Sequence, residues 1–280
     1  MQKLFYLFLL PLFVACQSGP VELNVMSFNI RMDNPGDSLD SWPYRKDVAA
    51  QIILQKDIDL FGTQEVLSHQ LKDMKDRLPG YVALGVGRAD GKEAGEYSAI
   101  FYKADRFDAL RSGTFWLSET PEVAGSKGWD GACERVATWA VLKEKASGKQ
   151  LFFINTHLDH VGKVARQQGV TLLMERAKEY GAGMPIIITG DFNANPESTV
   201  IAHVLESGDF RDSFVLAPEK KGNEGTFHGF GRIPVERRNR IDYIFTTAPI
   251  EVRTYEAIPD KLDGIHISDH APIMTQITLP

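Results

Sequence analysis

The segment that ends at Pro196 places a carboxylate and an amide directly after a short apolar strand. Ile186–Ile188 is a β-branched run that predicts a buried strand, and Gly190 then permits a sharp turn. Asp191 and Asn193 follow one residue apart, so they share a face if the chain stays extended. Polar groups at the end of a core strand are costly unless a polar or charged partner lies next to them. The segment therefore predicts a binding site, and an Asx turn is the alternative.

The same pattern, a polar side chain at the end of an apolar strand, recurs along the chain. The further candidates are Asn29, Glu65, His157, Asp242, and the adjacent pair Asp269 and His270. So many independent accidents are improbable, so we expect these strand ends to converge. The resulting site would contain carboxylates, amides and two histidines but no thiolate. Hard cations such as Mg²⁺ or Mn²⁺ prefer oxygen donors, so the pattern favours either of them over zinc.

Basic residues near these strands are candidates for binding the substrate. Arg135 leads a predicted strand, and either an ion pair or a phosphate contact would explain it. Arg240 closes a run of arginines that directly precedes the strand of Asp242, and His228 lies shortly before that run. Such runs are usually solvated, but next to a core strand they can hold a phosphate. We therefore take Arg135, His228 and Arg240 as candidate substrate-binding residues.

Composition and charge restrict the possible partners. The chain has 280 residues, of which 43% are hydrophobic and 24% charged, as is ordinary for a soluble globular protein. Its formal net charge is -6, which disfavours a broad surface for polyanions but allows a local basic patch. A dedicated nuclease for duplex DNA is therefore disfavoured.

The first residues predict export. Residues 1–16 contain Lys3, an apolar run interrupted by Pro11, and Ala15 before Cys16, which is typical of a signal peptide. Phe13–Cys16 resembles a bacterial lipobox, although Phe13 replaces the usual leucine. We expect Cys16 to carry a lipid that anchors an extracytoplasmic protein to the membrane, at the periplasm or the cell surface. Cleavage by the ordinary signal peptidase is the alternative.

The remaining chain, residues 21–280, predicts a single catalytic domain without internal repeats or linkers. Its only cysteine is Cys133, which we interpret as a small apolar residue rather than a nucleophile. Apolar periodicity predicts helices at Arg45–Lys56, His69–Leu78, Lys163–Tyr180 and Glu197–Glu206, and a loop at Lys220–Gly225. Strands separated by these helices fit two packed sheets covered by helices.

Six motifs, in this order, resemble the endonuclease/exonuclease/phosphatase superfamily, which includes DNase I-like nucleases, sphingomyelinases and inositol polyphosphate phosphatases. They are SFNI at 27–30, QEV at 64–66, NTHLD at 155–159, GDFNANP at 190–196, RIDYIF at 240–245 and SDHAP at 268–272. The resemblance implies an α/β fold, a four-layer α/β/β/α sandwich with two packed, mainly antiparallel mixed sheets. It also implies that the site lies at one edge of these sheets.

The resemblance implies a metal site and assigns three residues to it. Glu65 would be the principal Mg²⁺ ligand, and Asn29 would hold or orient the metal shell. Asp269 would also reach the metal. Whether one or two metals act stays open.

The resemblance also implies the catalytic roles. His270 would be a general base or electrostatic partner oriented by Asp242, since a carboxylate fixes the tautomer of an imidazole. Asp191 would orient or deprotonate the attacking water, Asn193 would position that water or the phosphate, and His157 would donate to a phosphoryl oxygen. The sequence leaves open whether Asp191 or His270 takes the proton.

These observations predict an Mg²⁺- or Mn²⁺-dependent phosphoester hydrolase, either a phosphodiesterase or a phosphatase, that acts outside the cytoplasm by in-line attack of water. We favour a small phosphorylated metabolite as the substrate. The alternatives are a secreted nuclease, a sphingomyelinase-like phospholipase and a non-catalytic lipid-anchored binding protein. No protein partner is implied.

Overall fold

The computed structural model describes residues 19–280, which form strands and helices. The strands are β1 (Val21–Asn29), β2 (Leu60–Gln64), β3 (Tyr81–Leu84), β4 (Ile100–Lys103), β5 (Phe107–Trp116), β6 (Val136–Glu144), β7 (Gln150–His157), β8 (Ile186–Asp191), β9 (Phe210–Asp212), β10 (Glu219–Lys221), β11 (Asp242–Thr247), β12 (Glu251–Ala257), β13 (Lys261–Leu262), β14 (Ile265–His266) and β15 (Ile273–Leu279). The α-helices are α1 (Trp42–Gln55), α2 (Ser68–Arg77), α3 (Lys163–Tyr180), α4 (Thr199–Glu206) and α5 (Ser213–Leu216).

The strands form two large mixed sheets. The first has the order β10-β12-β15-β1-β2-β4-β3, and only the β1/β2 and β10/β12 pairs in it are parallel. The second has the order β5-β6-β7-β8-β11-β9, with β7/β8 as its parallel pair. The remaining pairs of both sheets are antiparallel. The predicted mainly antiparallel mixed sheets are confirmed.

The two sheets pack face to face on an apolar core. Ile187 of β8 belongs to the cluster between the sheets, together with Val25 of β1 and Phe153 of β7. Its neighbours Ile186 and Ile188 point to the opposite face, where they join a second cluster. Because both faces of β8 are covered, the strand reads as a continuous apolar run rather than an alternating one.

Helices cover the outer faces of both sheets. On the second sheet, Val170 and Leu173 of α3 are fully buried in the outer cluster, as their spacing predicted. On the first sheet, Ile52 and Ile53 of α1 pack in a cluster that also contains Met74 of α2. The predicted four-layer α/β/β/α sandwich is therefore confirmed.

Local chemistry moves some element boundaries from their predicted places. Helix α1 begins at Trp42, before the predicted start, because Pro43 suits the first helical turn. Helix α4 begins at Thr199, after the predicted start, since the hydroxyl of Ser198 accepts a hydrogen bond from Ile201 N and caps it. The loop predicted at Lys220–Gly225 is partly an edge strand, since β10 pairs with β12.

The two sheets are also joined by a buried polar network near their common edge. Asn155 of β7 accepts hydrogen bonds from Gln64 Nε2 at 2.7 Å and from Thr189 Oγ1 at 3.0 Å. Its own amide donates to Thr63 O at 2.8 Å. Gly62 permits this close approach, because a Cβ there would lie 2.2 Å from Asn155 Oδ1. The network fixes the separation of the sheets where the functional strand ends emerge.

The predicted signal peptide, residues 1–16 with Cys16, lies outside the described residues. None of the helices within residues 19–280 has the length and hydrophobicity of a membrane span.

Candidate active site

Strand pairing brings the predicted residues together at one edge of the sandwich. In the second sheet, Asp191 is in register with His157 on one side and with Asp242 on the other. In the first sheet, Asn29 is in register with Gln64, so Glu65 emerges beside it. Backbone pairing alone thus places His157, Asp191 and Asp242 side by side.

The amide of Asn29 connects the two halves of this site. Its Nδ2 atom donates to Glu65 Oε1 at 3.1 Å and to Asp191 Oδ2 at 3.0 Å, and it lies 3.5 Å from His270 Nε2. The side chain of Asn29 is buried. One amide therefore holds a residue of the first sheet, Glu65, against residues that belong to the second sheet and to the turn before β15.

The resulting donor set suits a divalent cation. Carboxylate oxygens of Glu65 and Asp191 lie within 4.8 Å of each other and of a ring nitrogen of His270. Asp269 lines the same cavity, and burial raises the pKa of its carboxyl. Buried carboxylates this close repel one another unless a cation neutralises them, and carboxylate oxygens are ligands that hard cations prefer. The residues present therefore fit a divalent metal.

Two of the site residues have a backbone conformation that side chains other than glycine rarely adopt. Glu65 has φ 61° and Asn193 has φ 47°. Such residues cost about 1–3 kcal/mol each and persist where surrounding contacts hold them. Glu65 is held by Met32 N at 3.1 Å and by Asn29, and Asn193 by the bond of its own N to Asp191 Oδ1 at 2.9 Å. Both side chains line the cavity.

A histidine–carboxylate pair lies between β11 and the turn before β15. His270 Nδ1 is 2.9 Å from Asp242 Oδ2, and both residues are buried. Burial lowers the pKa of His270, but the charge of Asp242 and its hydrogen bond outweigh this effect and raise the pKa well above the ordinary value. His270 is therefore an imidazolium near neutral pH, with Nε2 3.8 Å from Asp191 Oδ2.

The pKa of the Asp191 carboxyl group is higher than that of an ordinary aspartate. Burial, together with the nearby charge of Asp242, raises the pKa of Asp191 to about 7, although His270 partly offsets both effects. A group with a pKa near neutrality can take up and release a proton at physiological pH.

His157 is neutral and has a fixed tautomer. Asn193 Nδ2 donates to Leu158 O at 3.0 Å and to His157 Nε2 at 3.0 Å, so Nε2 accepts and the ring proton lies on Nδ1. Burial and the positive charges of Arg135 and Arg88 lower the pKa of His157 well below its ordinary value.

Of the three candidate substrate-binding residues, only Arg135 lines the cavity, whose volume is about 970 Å³. The guanidinium of Arg240 is engaged elsewhere, 2.6 Å from Asp212 Oδ2 and stacked between the rings of Phe214 and Tyr243. The expected substrate contact of Arg240 is thus not supported by its position.

His228 is also removed from the cavity. Its ring is fully buried, Nδ1 accepts from Gly231 N at 3.1 Å, and Nε2 lies 3.7 Å from Asp260. Burial lowers the pKa of His228 to about 4, so the ring is neutral and does not attract an anion. Its position does not support the expected substrate contact either.

Further residues of the cavity were missed by sequence reasoning. Arg31, which directly follows the SFNI motif, binds Asp37 at 2.9 Å and lies 3.7 Å from Glu65 and 3.8 Å from Asp269. Lys163 and Arg166 line the cavity from the first turns of α3. Adjacency to the motif was a usable signal for Arg31, whereas the two helical residues look like ordinary solvated side chains in the sequence.

Cys133 behaves as interpreted from the sequence. Its side chain is half-buried, and burial raises the pKa of the thiol. A raised pKa leaves little thiolate, so the residue is a poor nucleophile.

Comparisons with known proteins agree with this geometry. A model of the Endonuclease/Exonuclease/phosphatase family matches residues 26–270. A solved endonuclease/exonuclease/phosphatase from Bacteroides vulgatus is 42% identical, with a TM-score of 0.90 over 93% of this chain and 100% of that one. The mannosyl-6-phosphatase of Bacteroides thetaiotaomicron VPI-5482 is 41% identical, with a TM-score of 0.88 over 92% of this chain and 100% of that one.

More distant relatives are longer than this chain. It is 25% identical to the nocturnins of Drosophila melanogaster and Mus musculus, over 75% and 92% of its own length. It spans only 35% and 66% of theirs. The family match and the phosphatase among the solved structures support phosphoester hydrolysis. With the strand ends gathered in one cavity and the family model matched over most of its length, this chain belongs to the endonuclease/exonuclease/phosphatase family.

Proposed function

We propose that this protein is an Mg²⁺- or Mn²⁺-dependent phosphatase that releases phosphate from a small phosphorylated sugar. The proposal is carried by one observation: Glu65, Asp191 and the His270–Asp242 pair converge in a single cavity. The similarity to a mannosyl-6-phosphatase supports a sugar phosphate as the substrate. The whole activity is assigned to one catalytic domain, residues 21–280.

The metal would be held by Glu65, with Asn29 and Asp269 at the border of its site. When bound, a divalent cation neutralises the charge of phosphoryl oxygens and assists the leaving oxygen. The side chains of this site are held in place without it, since Glu65 is fixed by Asn29 and by Met32 N.

Asp191 accepts the proton of the attacking water in this proposal. Its pKa of about 7 matches a base that operates near neutrality. Asn193 positions the water and the phosphate, because its backbone N–H fixes the Asp191 carboxylate while its side chain reaches His157. In the proposal, the attacking water lies beside Asp191, in line with phosphorus and the leaving oxygen.

In this proposal, His270 stabilises the negative charge of the phosphoryl group. The imidazolium of His270 presents Nε2 to the cavity while Asp242 holds Nδ1. Preorganised donors of this kind usually make the largest single contribution to catalysis. The neutral His157 has no proton to donate from Nε2, which accepts from Asn193, so we assign it a positioning role beside Asp191, 3.4 Å from its Oδ2.

The volume of the cavity and the net charge of the chain both favour a small substrate. A cavity of about 970 Å³ falls in the range of small-molecule sites. The chain as a whole is acidic, which disfavours a broad contact with nucleic acid.

Hydrolysis of a substrate panel tests this function, with free phosphate measured for the monoester and the released alcohol or shortened strand measured for the diesters. The panel contains mannose 6-phosphate, a generic aryl phosphodiester, single-stranded DNA and sphingomyelin, each with Mg²⁺, Mn²⁺ or EDTA. We expect hydrolysis of the sugar monoester with either metal and none with EDTA. Hydrolysis of diesters alone would favour the nuclease or phospholipase alternative, turnover in EDTA would contradict the metal, and no turnover would favour the non-catalytic alternative.

We also propose that the enzyme is anchored outside the cytoplasm through Cys16, on the pattern of residues 1–16. A labelled fatty acid should be incorporated into the parent chain and not into Cys16→Ala. Equal labelling of the two proteins would contradict the anchor.

A further inference from the structure

One end of the cavity carries three cationic side chains that the proposed reaction does not use. We name Arg135, Lys163 and Arg166 the cationic wall. Arg135 Nε lies 3.6 Å from Asp159 Oδ2, and Arg166 Nη1 donates to Asp159 O at 2.9 Å. Lys163 lies one turn before Arg166 on α3, and all three residues line the cavity. The wall is therefore built around the loop that follows His157.

Arg135 is buried but incompletely paired. Only 5% of the residue is exposed, and neither Nε nor Nη1 has a hydrogen-bond partner within residues 19–280. Its remaining nitrogen, Nη2, lies 3.0 Å from His160 Nδ1. Buried donors without a partner are costly, and a guanidinium satisfies such donors best with a carboxylate or phosphate. The free donors of Arg135 thus indicate an anion that comes from solution.

The carboxylates near the wall are already occupied. Asp159 Oδ1 accepts from Val161 N and Gly162 N at 2.9 and 2.7 Å, and Oδ2 accepts from Ala132 N at 3.0 Å. Asp130 caps α3 by accepting from Ala165 N at 2.7 Å, and it does not line the cavity. Both acids are therefore committed to fixing the loop and the helix.

The remaining charges of the wall are not neutralised. Within residues 19–280, Lys163 and Arg166 form no ion pair. Arg88, another cation of the cavity, differs because Glu96 binds it with two contacts of 2.7 Å. The wall therefore combines three cations with one paired carboxylate, Asp159, whereas Arg88 is matched by Glu96; the exposed Glu197 also lines the cavity.

The hydrolytic centre does not need these cations for the phosphate that is cleaved. In the proposed reaction, Asn193, His270 and the metal site contact the phosphoryl group that is cleaved, and among the described residues no hydrogen bond joins the cationic wall to His157, Asn193 or His270. A second set of cations in the same cavity fits a second anionic group on the same molecule.

We propose that the cationic wall binds a carboxylate or a second phosphate carried by the sugar that hydrolysis releases, with Arg135 as its anchor. The inference rests on the proposed phosphatase function and narrows its substrate to sugar phosphates with two anionic groups. Arg135, Lys163 and Arg166 are thus specificity-determining residues.

Two matched substrate pairs test this inference with the full-length mature protein. Glucose 6-phosphate is compared with 6-phosphogluconate, which adds a carboxylate, and fructose 6-phosphate with fructose 1,6-bisphosphate, which adds a phosphate. We expect kcat/KM to be at least about ten-fold higher for one of the doubly anionic members, because a charge-assisted hydrogen bond contributes that much. The pair that shows the preference identifies the second group.

Variants then assign the preference to the wall. Arg135→Gln should reduce the ratio of kcat/KM within the preferred pair about ten-fold, and Lys163→Gln should reduce it by a smaller factor. Lys163 is exposed, so its replacement keeps the fold even if Arg135→Gln is poorly folded. Arg176→Gln is the control, because Arg176 lies on the same helix, pairs with Glu122 and Glu179 and does not line the cavity.

The outcomes separate this inference from the proposed function. If the parent hydrolyses both members of each pair equally well, the second anionic group is refuted while the phosphatase function stands. The inference is also overturned if Arg135→Gln and Lys163→Gln leave the ratio unchanged or if Arg176→Gln changes it equally. If the parent hydrolyses no sugar phosphate, the proposed function itself fails and the inference falls with it.

Discussion

Arg135 and Arg240 are equally buried, with 5% exposure each, yet their surroundings differ. Arg240 binds Asp212 at 2.6 Å, and its guanidinium carbon lies 4.6 and 4.7 Å from the ring centres of Phe214 and Tyr243. Arg135 has no such partner, since two of its nitrogens make no hydrogen bond and its carboxylate neighbour is 3.6 Å away.

The difference teaches how a scaffold residue can be told from a binding residue. Arg240 has one buried nitrogen without a hydrogen bond among the described residues, Nε, but its Nη1 binds Asp212 at 2.6 Å and its guanidinium lies against the rings of Phe214 and Tyr243. It therefore holds the start of β11, whose first residue is Asp242. Arg135 lines a cavity and keeps two buried nitrogens without a hydrogen bond among the described residues, as expected of a binding residue that lowers local stability.

The comparison is tested first where the largest effect is expected, at Asp191 in the cavity. Asp191→Asn should lower kcat by about 10³-fold, because the site loses its general base. The folded-state pKa of Asp191 is about 7 and the unfolded value about 4. Ionisation therefore costs stability as the pH rises from about 4 to 7, and the full cost is present above 7.

In EDTA at pH 8, the free energy of unfolding of Asp191→Asn should equal or exceed that of the parent, and the difference between the two should shrink at pH 5. Urea denaturation measures it, and phosphate release measures kcat. A variant that is clearly less stable at pH 8 would show that Asp191 belongs to the scaffold.

The next prediction concerns the stability contributed by the buried ion pair of Arg240 and Asp212, which we call the scaffold pair. Asp212→Ala leaves Arg240 buried without its partner and removes the bond from Phe214 N at 2.9 Å. The free energy of unfolding should fall by about 3–5 kcal/mol, while kcat/KM of the folded protein stays near the parental value.

Asp209→Ala is the matched control for Asp212→Ala in urea denaturation. Asp209 forms an exposed ion pair with Lys178 at 2.8 Å, so its loss should cost less than about 1 kcal/mol. Equal costs for the two aspartates would remove the distinction between a buried scaffold pair and a surface pair.

The smallest effect is expected for the stability of an Arg135 variant. Arg135→Gln should change the free energy of unfolding by less than about 1 kcal/mol, because the side chain forms few bonds that can be lost. Arg240→Gln should cost several times more, since Asp212 is then left buried without a counter-charge. The two variants differ by the same chemical change, and similar costs for them would contradict the comparison.

The local pattern of the sequence was sufficient for the strand-end residues. Asp191 and Asn193 follow a strand whose continuous apolar run reflects burial on both faces, and that run is visible without a structure. Glu65 was found in the same way. Its left-handed backbone conformation was not predictable, because the surrounding contacts from Asn29 and Met32 enforce it.

The arginines were not separable by the same reasoning. Arg240 adjoins a core strand, as Arg135 does, and both look like candidates for a phosphate contact. The partner of Arg240 is Asp212, which lies 28 residues earlier and meets it only because β9 pairs with β11. No local pattern encodes that pairing, so only the tertiary structure distinguishes an arginine in an ion pair from one that can bind a ligand.

The sequence alone determined which residue types end the strands and in what order, because apolar strands and turns have patterns that are local in the sequence. Tertiary structure decided which of those side chains share a cavity and which cations remain free. Register between β7, β8 and β11 aligns His157, Asp191 and Asp242, and a distant partner, Asp212, pairs with Arg240 at 2.6 Å, while Arg135 has only a looser contact of 3.6 Å with Asp159. Whether a buried charge is paired depends on contacts between distant segments, and those contacts exist only once the two sheets have packed.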